Sequence, residues 1–350
     1  MRGRKLLVCI VGLLLFPGVL GAWGHRAHFT VNHGAIDVLP RPLRDFYHLN
    51  RPFVVRHAVD PDLWVEMGDR APAHAPPAAA HFIDLDKLDN APFDGIPKTY
   101  AAAVAKFGEE RIAAAGTLPW EIAARTEQLT DAFREARWED VLKHSAWIGH
   151  FIADATVPLH TTKNYKGQFS GNVILDERGP NRTVHHRLEW GLLEALPEHY
   201  DAVVGRPENV KPLDDVLAEA WRTIRTSYTL IPEVLNADRE ASGLDASFGP
   251  RYYHRLDERV GELVKRQLER SQEMVASVWL TAWKDAGRPA LPAVRVIREL
   301  PASEGKEPEG PSGTVTRVVV LLALLGGLAA LGWWWMRRRV RRHGQGGKDG

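Results

Sequence analysis

Two groups of metal-ligating residue types recur at helical spacing in this chain of 350 residues. His150 and Asp154 stand four residues apart in the run HFIADATVPLH, and His160 follows just past the next proline. His185 and Glu189 repeat the same spacing in the run HHRLEW. Side chains four residues apart lie on one face of a helix, so each pair can reach a single metal ion. Imidazole and carboxylate ligands without thiolates favour zinc over manganese or iron.

The elements that must position these residues are helices. Residues 138–155 carry apolar side chains at helical spacing and end before Pro158. Residues 213–235 and 256–286 repeat this pattern with charged residues on the opposite face. The best candidate for an extended segment is AAAHFIDLD, residues 78–86. The sequence therefore predicts an all-α domain with long loops.

Both ends of the chain predict targeting segments. Residues 1–22 have a basic start, an apolar stretch and small residues before Trp23, which is typical of a secretory signal peptide. Residues 317–336 hold an uncharged run long enough for the roughly 30 Å hydrocarbon core of a bilayer, which predicts a transmembrane helix. Arginines dominate the start of residues 337–350, so this tail should be cytoplasmic.

One domain remains between these segments. Residues 288–316 are rich in Pro, Glu, Gly and Ser, which predicts a flexible linker. Residues 23–287 are long enough to bury a sizeable core. The only cysteine, Cys9, lies in the expected signal peptide, so this domain has no disulfide. We expect a single-pass membrane protein whose domain faces the periplasm or the exterior.

The charge of the exported part excludes one class of function. Residues 23–313 carry 35 lysines and arginines against 43 aspartates and glutamates, a formal charge of −8. Nonspecific binding to nucleic acid depends on lysine and arginine neutralising phosphates, so a general polyanion-binding surface is excluded. Bound divalent cations would offset part of this charge. No protein partner is predicted.

Together the motifs resemble those of the superfamily that contains the zinc-dependent phospholipases C and the secreted single-strand-specific nucleases. The shared His-x3-Asp-x5-His core matches at His150, Asp154 and His160, and the final ligand pair matches at His185 and Glu189. The resemblance implies a phospholipase C/nuclease-like helical domain that holds three zinc ions. It also implies hydrolysis of phosphodiester bonds.

The resemblance further implies an amino-terminal ligand group. In that superfamily the mature chain begins with a tryptophan whose amino group and carbonyl bind zinc, and Trp23 stands directly behind the expected cleavage point in GAWGHRAH. His28 follows at the spacing of the nucleases, whereas Glu189 is the phospholipase type of final ligand. His25 and His33, on the same segment, remain alternatives to His28.

Two upstream ligands complete the implied set. His81 in HFIDLD corresponds to the upstream histidine and Asp62 in DPDLW to the aspartate before it, with Asp60 and Asp69 as alternatives to Asp62. By resemblance, the first zinc ion is held by Asp62, His81, His150 and Asp154, the second by His160, His185 and Glu189, and the third by Trp23, His28 and a bridging Asp154. Asp62 and Asp154 are the expected catalytic carboxylates.

Three zinc ions suit phosphodiester hydrolysis. Two of them about 3.5–4 Å apart can bridge a hydroxide near neutral pH and clamp the oxygens of an in-line displacement. The membrane anchor and Glu189 favour a phospholipid substrate, whereas the spacing from Trp23 to His28 favours single-stranded nucleic acid. The loop at residues 164–172, NYKGQFSGN, lies between two ligand groups and is expected to shape the substrate cleft.

A function of a different class stays open at this point. The domain could be a non-catalytic, zinc-stabilised extracytoplasmic binding domain in which metals replace the missing disulfides. Structural zinc is closed by four protein ligands, whereas the second site here would have three. An open position favours catalysis.

Overall fold

The computed structural model describes residues 24–175 and 183–297. These residues form helices and contain no β-strand, so the all-α prediction is confirmed for them. The expected signal peptide (1–22), Trp23, the transmembrane helix (317–336) and the cytoplasmic tail (337–350) lie outside the described residues. Within that described part, none of the helices has the length and apolarity needed to cross a bilayer.

Fourteen α-helices, five short 3-10 turns and one π-helical turn are found in the described residues. The α-helices are α1 His25–Val38, α2 Leu43–Arg56, α3 Asp60–Met67, α4 Leu85–Leu88, α5 Tyr100–Phe107, α6 Glu109–Ala115, α7 Leu118–Arg134, α8 Trp138–Thr156, α9 Val184–His186, α10 Leu192–Ala195, α11 Pro197–Tyr200, α12 Val216–Thr229, α13 Ile231–Leu244 and α14 Pro250–Asp285. The 3-10 turns are His57–Val59, Gly68–Arg70, Ala78–His81, Pro158–Thr161 and Pro207–Asn209, and the π turn is Arg187–Gly191.

Helix α8 lies at the centre of the fold. Every residue from Ser145 to Thr156 is buried, and α1, α2, α7, α12 and α14 all pack against this helix. A helix that is buried on all sides forms a core rather than a surface. His150 and Asp154 on α8 therefore lie away from bulk solvent.

The contact between α1 and α8 depends on a glycine. A Cβ atom at Gly149 would lie 1.8 Å from Asn32 Oδ1, so only glycine allows this approach. The Asn32 amide donates to the Val54 carbonyl at 3.0 Å and to the Ala146 carbonyl at 3.1 Å, which ties α1 to α2 and α8. The close approach brings α1 alongside the turn of α8 that carries His150.

The helix predicted over residues 213–235 is wrong in extent, because the structure has two helices there. Helix α12 ends at Thr229 and α13 begins at Ile231, with Pro232 in its first turn. Proline has no N–H to continue the helix before it, but it fits the first turn of a new helix. The pattern over residues 256–286 falls largely within α14, whose 36 residues span about 54 Å.

The candidate extended segment at residues 78–86 contains no strand. It begins with the 3-10 turn Ala78–His81 and ends with the first residues of α4. Between them the Ile83 N–H donates to the His160 carbonyl at 2.9 Å, and the Asp84 N–H donates to the Ala115 carbonyl. These single hydrogen bonds to two different segments hold the backbone in place without a sheet.

The chain turns back onto the domain after α14. Trp283 Nε1 donates to the Pro289 carbonyl at 3.0 Å. Farther on, Arg295 Nε donates to the Leu49 carbonyl at 3.0 Å, and the Val296 N–H donates to Asn50 Oδ1 at 2.9 Å. The described start of the expected linker, residues 288–297, is therefore bound to α2.

Candidate metal centre

Eight of the nine expected metal ligands meet in one region of the structure, which we call the donor cluster. Five segments of the fold supply them: α1, α3, the turn ending at residue 81, α8 with the turn that follows it, and the turn from α9 into the π helix. The donor cluster consists of His28, Asp62, His81, His150, Asp154, His160, His185 and Glu189. The ninth expected ligand, Trp23, lies outside the described residues.

The nitrogens of His81 and His150 in the donor cluster lie close to oxygens of Asp62 and Asp154. His81 Nδ1 and His150 Nε2 lie 3.0 Å apart, and each is 3.5 Å from Asp62 Oδ1. Asp154 Oδ2 lies 3.1 Å from the His81 nitrogen and 3.3 Å from the His150 nitrogen. Ligands at about 2.0–2.1 Å in a tetrahedral zinc site would be separated by about 3.3–3.4 Å. The five separations, 3.0–3.5 Å, are close to those of ligands in a tetrahedral metal site.

A second group of donors lies on the other side of Asp154. His160 Nε2 is 3.4 Å and His185 Nε2 is 2.9 Å from Glu189 Oε1. The approach of His185 is short, but it lacks the direction of a hydrogen bond, since both atoms are without a hydrogen-bond partner. His185 is the most exposed donor, with 20% of its side chain accessible, so this group faces the open side of the site.

Asp154 stands between the groups. Its Oδ2 atom belongs to the four-donor group, whereas its Oδ1 atom lies 3.8 Å from His28 Nε2 and 3.8 Å from His160 Nδ1. Asp62 divides its oxygens in the same way, with Oδ2 at 3.9 Å from His28 Nε2. The His28 ring stacks on the His150 ring at a centroid distance of 3.9 Å. A carboxylate in this position can bridge two metal ions.

Backbone carbonyls orient two of the imidazoles. His150 Nδ1 lies 2.8 Å from the Ala58 carbonyl, and His160 Nδ1 lies 2.6 Å from the His81 carbonyl. A carbonyl accepts only, so we assign the proton of each neutral ring to Nδ1. Each Nε2 lone pair is then directed into the cluster, which is the usual arrangement around a metal-ligating histidine.

The donor cluster contains many buried polar atoms without hydrogen-bond partners. They are His28 Nδ1 and Nε2, Asp62 Oδ2, His81 Nε2, Asp154 Oδ1, His160 Nε2, His185 Nε2 and both oxygens of Glu189. Buried polar groups are nearly always hydrogen-bonded, and an unpartnered buried atom costs about 1–3 kcal/mol. A bound cation would satisfy those atoms that face the cluster centre. The buried histidine, aspartate and glutamate groups could therefore hold metal ions.

Electrostatic shifts in the donor cluster follow from burial and from neighbouring charges. Burial lowers the pKa of His28 well below its usual range. Burial also acts to lower the pKa of His160, but Glu189 and Asp154 outweigh it and raise this pKa to about 10. Burial acts to raise the pKa of Asp154, but the charges of His150 and His160 outweigh it and hold this pKa well below its ordinary value. Opposite charges thus stabilise the ligand set that remains after metal is removed.

The structure separates the expected ligands from their alternatives. The Asp60 carboxylate accepts from Trp147 Nε1 at 3.1 Å and lies 2.8 Å from His57 Nδ1, and Asp69 is exposed in the turn after α3. On α1, His25 contacts the Trp190 ring and His33 contacts Asp37 near the surface. None of these four alternatives contributes an atom to the donor groups, whereas Asp62 and His28 both do.

The start of the described chain lies against the second donor group. The Gly24 N–H donates to the Glu189 carbonyl at 3.2 Å. A Cβ atom at Gly24 would approach the Trp190 ring and backbone to 3.1 Å, so this contact is tight. Gly24, the first described residue, is therefore held beside Glu189.

A buried ion pair holds the turn that carries His185 and Glu189. Arg187, which lies between these ligands, donates from Nε to Asp238 Oδ1 at 2.9 Å and from Nη2 to Asp238 Oδ2 at 3.0 Å. Tyr252 and Asn172 also donate to this carboxylate. We call Arg187, Asp238, Tyr252 and Asn172 the Arg187 network. It joins the ligand turn to α13, α14 and the loop at residues 164–172.

Sequence patterns did not identify the residues that support the donors. The carbonyl of Ala58 and the pair His57–Asp60 lie behind His150, and Asp238 lies behind the ligand turn. The three-residue spacing of His57 and Asp60 on a helical stretch was the one available signal. Asp238 gave none, because its partners Tyr252, Arg187 and Asn172 are 14, 51 and 66 residues away in the sequence.

Comparison with known proteins adds no assignment: no family model and no curated sequence matches the chain.

Proposed function

We propose that this protein is a zinc-dependent hydrolase of phosphodiester bonds, exported and anchored to a membrane by the segment at residues 317–336. One observation carries the proposal. The ligating nitrogens of His81 and His150 lie 3.0–3.5 Å from each other and from oxygens of Asp62 and Asp154, close to the separations of tetrahedral ligands, and the other Asp154 oxygen lies 3.8 Å from His28 Nε2. Adjacent metal sites that share a carboxylate are the arrangement used in many phosphoryl-transfer enzymes.

Each donor group has a separate role in this proposal. Asp62, His81, His150 and Asp154 would hold one zinc ion, His160, His185 and Glu189 a second, and His28 with Asp154 and Trp23 a third. When bound, zinc lowers the pKa of water towards neutrality and neutralises charge on a phosphoryl group. The chain's own task is to fix the ligands: Ala58 and the His81 carbonyl orient two imidazoles, and Arg187 fixes the last ligand turn.

The open side of the second group favours catalysis over a purely structural role. Only three protein donors from the described residues meet there, whereas a structural zinc site is closed by four. His185 is partly exposed, so water or a substrate oxygen could approach this group. A non-catalytic binding domain would have no need of such an opening.

The amino end is proposed as a ligand on the same grounds. Gly24 lies against Glu189 and Trp190, and cleavage after Ala22 would leave the free amino group one residue away. An unextended Trp23 terminus would then complete the group that contains His28.

Metal analysis of the purified protein tests the proposal. We expect zinc to co-purify and its removal by a chelator to abolish hydrolysis of a soluble chromogenic phosphodiester. We also expect the midpoint of thermal unfolding to fall by about 8–16 °C, since a ligand at a thousand times its Kd stabilises a protein by about 4 kcal/mol.

The outcomes separate the alternatives. Protein without a transition metal would refute the proposal. A stoichiometric metal that stabilises the fold but supports no hydrolysis would instead identify a zinc-stabilised binding domain.

A further inference from the structure

Exposed apolar side chains are concentrated in one stretch beside the donor cluster. Of the eleven exposed large hydrophobic residues in the described part of the chain, five fall between residues 165 and 175. They are Tyr165, Phe169, Val173, Ile174 and Leu175, and Phe169 is 70% exposed. Isolated exposed apolar residues are normal, whereas a cluster marks an interaction surface. We call residues 163–175 the apolar loop.

Internal hydrogen bonds fix the conformation of the apolar loop. The Phe169 N–H donates to Asn164 Oδ1 at 2.9 Å, and Gln168 Nε2 donates to the Lys163 carbonyl at 2.6 Å. At its far end, Asn172 Nδ2 donates to Asp238 at 2.6 Å and to the Leu235 carbonyl at 2.9 Å. The exposed position of Phe169 is therefore built into the loop and does not reflect a frayed segment.

The apolar loop flanks the open side of the donor cluster. The Tyr165 ring lies edge-on to the ring of His185, with a centroid distance of 5.9 Å. His185 is the most exposed donor in the cluster. A surface that contacts the apolar loop would therefore lie next to the entrance of the proposed active site.

The charge of the apolar loop is opposite to that of the domain. Residues 163–175 contain Lys163 and Lys166 and no acidic residue, within an exported part whose formal charge is −8. Arg239 adds a third cation, because its guanidinium donates to the Ser170 carbonyl. The neighbouring Asp86 carboxylate accepts hydrogen bonds from Thr162 Oγ1 and from the Lys163 N–H. Among the described residues the loop therefore combines apolar side chains with three cations and one neighbouring carboxylate, and Asp176 and Glu177 follow it in the sequence.

We propose that the apolar loop docks onto an anionic phospholipid surface and presents lipid phosphodiesters to the donor cluster. This inference rests on the proposed hydrolase function and assigns its substrate class. Apolar side chains inserted at the headgroup boundary together with nearby lysines are the standard means of peripheral membrane binding. Single-stranded nucleic acid fits less well, because Val173, Ile174 and Leu175 have no aromatic face on which a base could stack.

Site-specific fluorescent labelling tests this docking in the full chain. The only cysteine, Cys9, lies in the expected signal peptide, so a mature chain offers one label site per variant. Phe169→Cys and Ile174→Cys would each carry an environment-sensitive dye, and Leu244→Cys, an exposed apolar position on α13, is the matched control. Each protein is reconstituted in vesicles of phosphatidylcholine, with or without phosphatidylglycerol, in the presence of a metal chelator.

At positions 169 and 174 we expect the dye emission to shift to the blue and to be quenched by lipid-bound nitroxides. Both effects should be stronger with phosphatidylglycerol and weaker at high salt. The dye at position 244 should show neither effect. Equal signals at all three positions, or none at 169 and 174, would overturn the proposal. A response to single-stranded oligonucleotide but not to lipid would also overturn it and assign the loop to nucleic acid. Because the chelator removes turnover, hydrolysis of the soluble diester by the metal-loaded protein tests the proposed function separately.

Discussion

The donor cluster and the Arg187 network are both buried and charged, but they differ in whether their polar atoms have hydrogen-bond partners. Asp238 accepts hydrogen bonds from Arg187, Tyr252 and Asn172, and none of these four residues has a buried polar atom without a partner. In the donor cluster, nine buried polar atoms lack one. The two regions meet in one short segment, because Arg187 stands between His185 and Glu189 in the sequence.

This difference is the one we expect between a site that only supports the fold and a site that binds metal. A buried charge is costly to leave unpaired, so a network that only supports the fold satisfies its own members. A group of converging unpaired donors persists where a ligand from outside completes it. We therefore expect substitutions in the donor cluster to change metal content and turnover, and substitutions in the Arg187 network to change stability.

The largest expected effect is that of Asp154→Asn. The amide keeps the size of the side chain but removes the negative charge that lies between the pair His81–His150 and His28. Loss of several kcal/mol of transition-state stabilisation lowers turnover on the order of 10³-fold. Turnover and zinc content are measured together, with Asp140→Asn as the matched control, since that carboxylate lies at the start of the same helix and pairs with Arg137 near the surface. Wild-type turnover with unchanged zinc in Asp154→Asn would remove the distinction between the regions.

Asp238→Asn should have the opposite profile. It leaves the fully buried Arg187 guanidinium without its counter-charge, and breaking a buried pair this way costs about 3–5 kcal/mol. We expect urea denaturation to show this loss while zinc content at low temperature stays at the wild-type level. The same substitution at Asp131, whose pair with Arg134 is exposed, should change stability little. Loss of zinc without loss of stability would place Asp238 functionally in the donor cluster.

Proton release gives the smallest expected effect. Glu189 and Asp154 outweigh burial and raise the pKa of His160 to about 10, so this ring is protonated at neutral pH when metal is absent. The charged His160 ring stabilises the metal-free fold. This contribution is fully present below pH 6.5 and is lost as pH rises through about 10. Metal must displace this proton, so apparent affinity should fall about tenfold for each pH unit of acidification.

Calorimetry in two buffers that differ in ionisation enthalpy measures this proton release. We expect about one proton per metal at the group of His160, His185 and Glu189. His254→Gln, which changes an exposed histidine on α14, should release the same number. Metal binding with no release would mean that the charges around His160 do not act as the metal-free structure indicates.

The sequence was most informative where ligands share a helix. The i, i+4 pairs on α8 and on the turn after α9 could be placed together because helical geometry alone brings such side chains to one face. The boundary at Pro232 was missed, since apolar spacing ran on across it and hid the end of α12. Periodicity reports which face is buried, and it is less sensitive to where one helix stops and the next begins.

Contacts between distant segments were beyond sequence reasoning. The match of Asp62 to the expected ligand came from resemblance, and only the fold shows that Asp60 is turned towards His57 and Trp147 instead. The role of Asp238 depends on chain segments that are 51 and 66 residues away. Such pairings follow from how helices pack, which no local pattern records.

The tight crossing of α1 and α8 makes two positions interdependent in evolution. Any side chain at residue 149 would occupy the space of the Asn32 amide, and that amide joins three helices. We therefore expect a side chain at residue 149 to be tolerated only when residue 32 becomes smaller. In an engineered library, residues 32 and 149 should be diversified as a pair. A change at only one of them would shift His28 relative to His150, and the variant would then be inactive because of altered geometry alone.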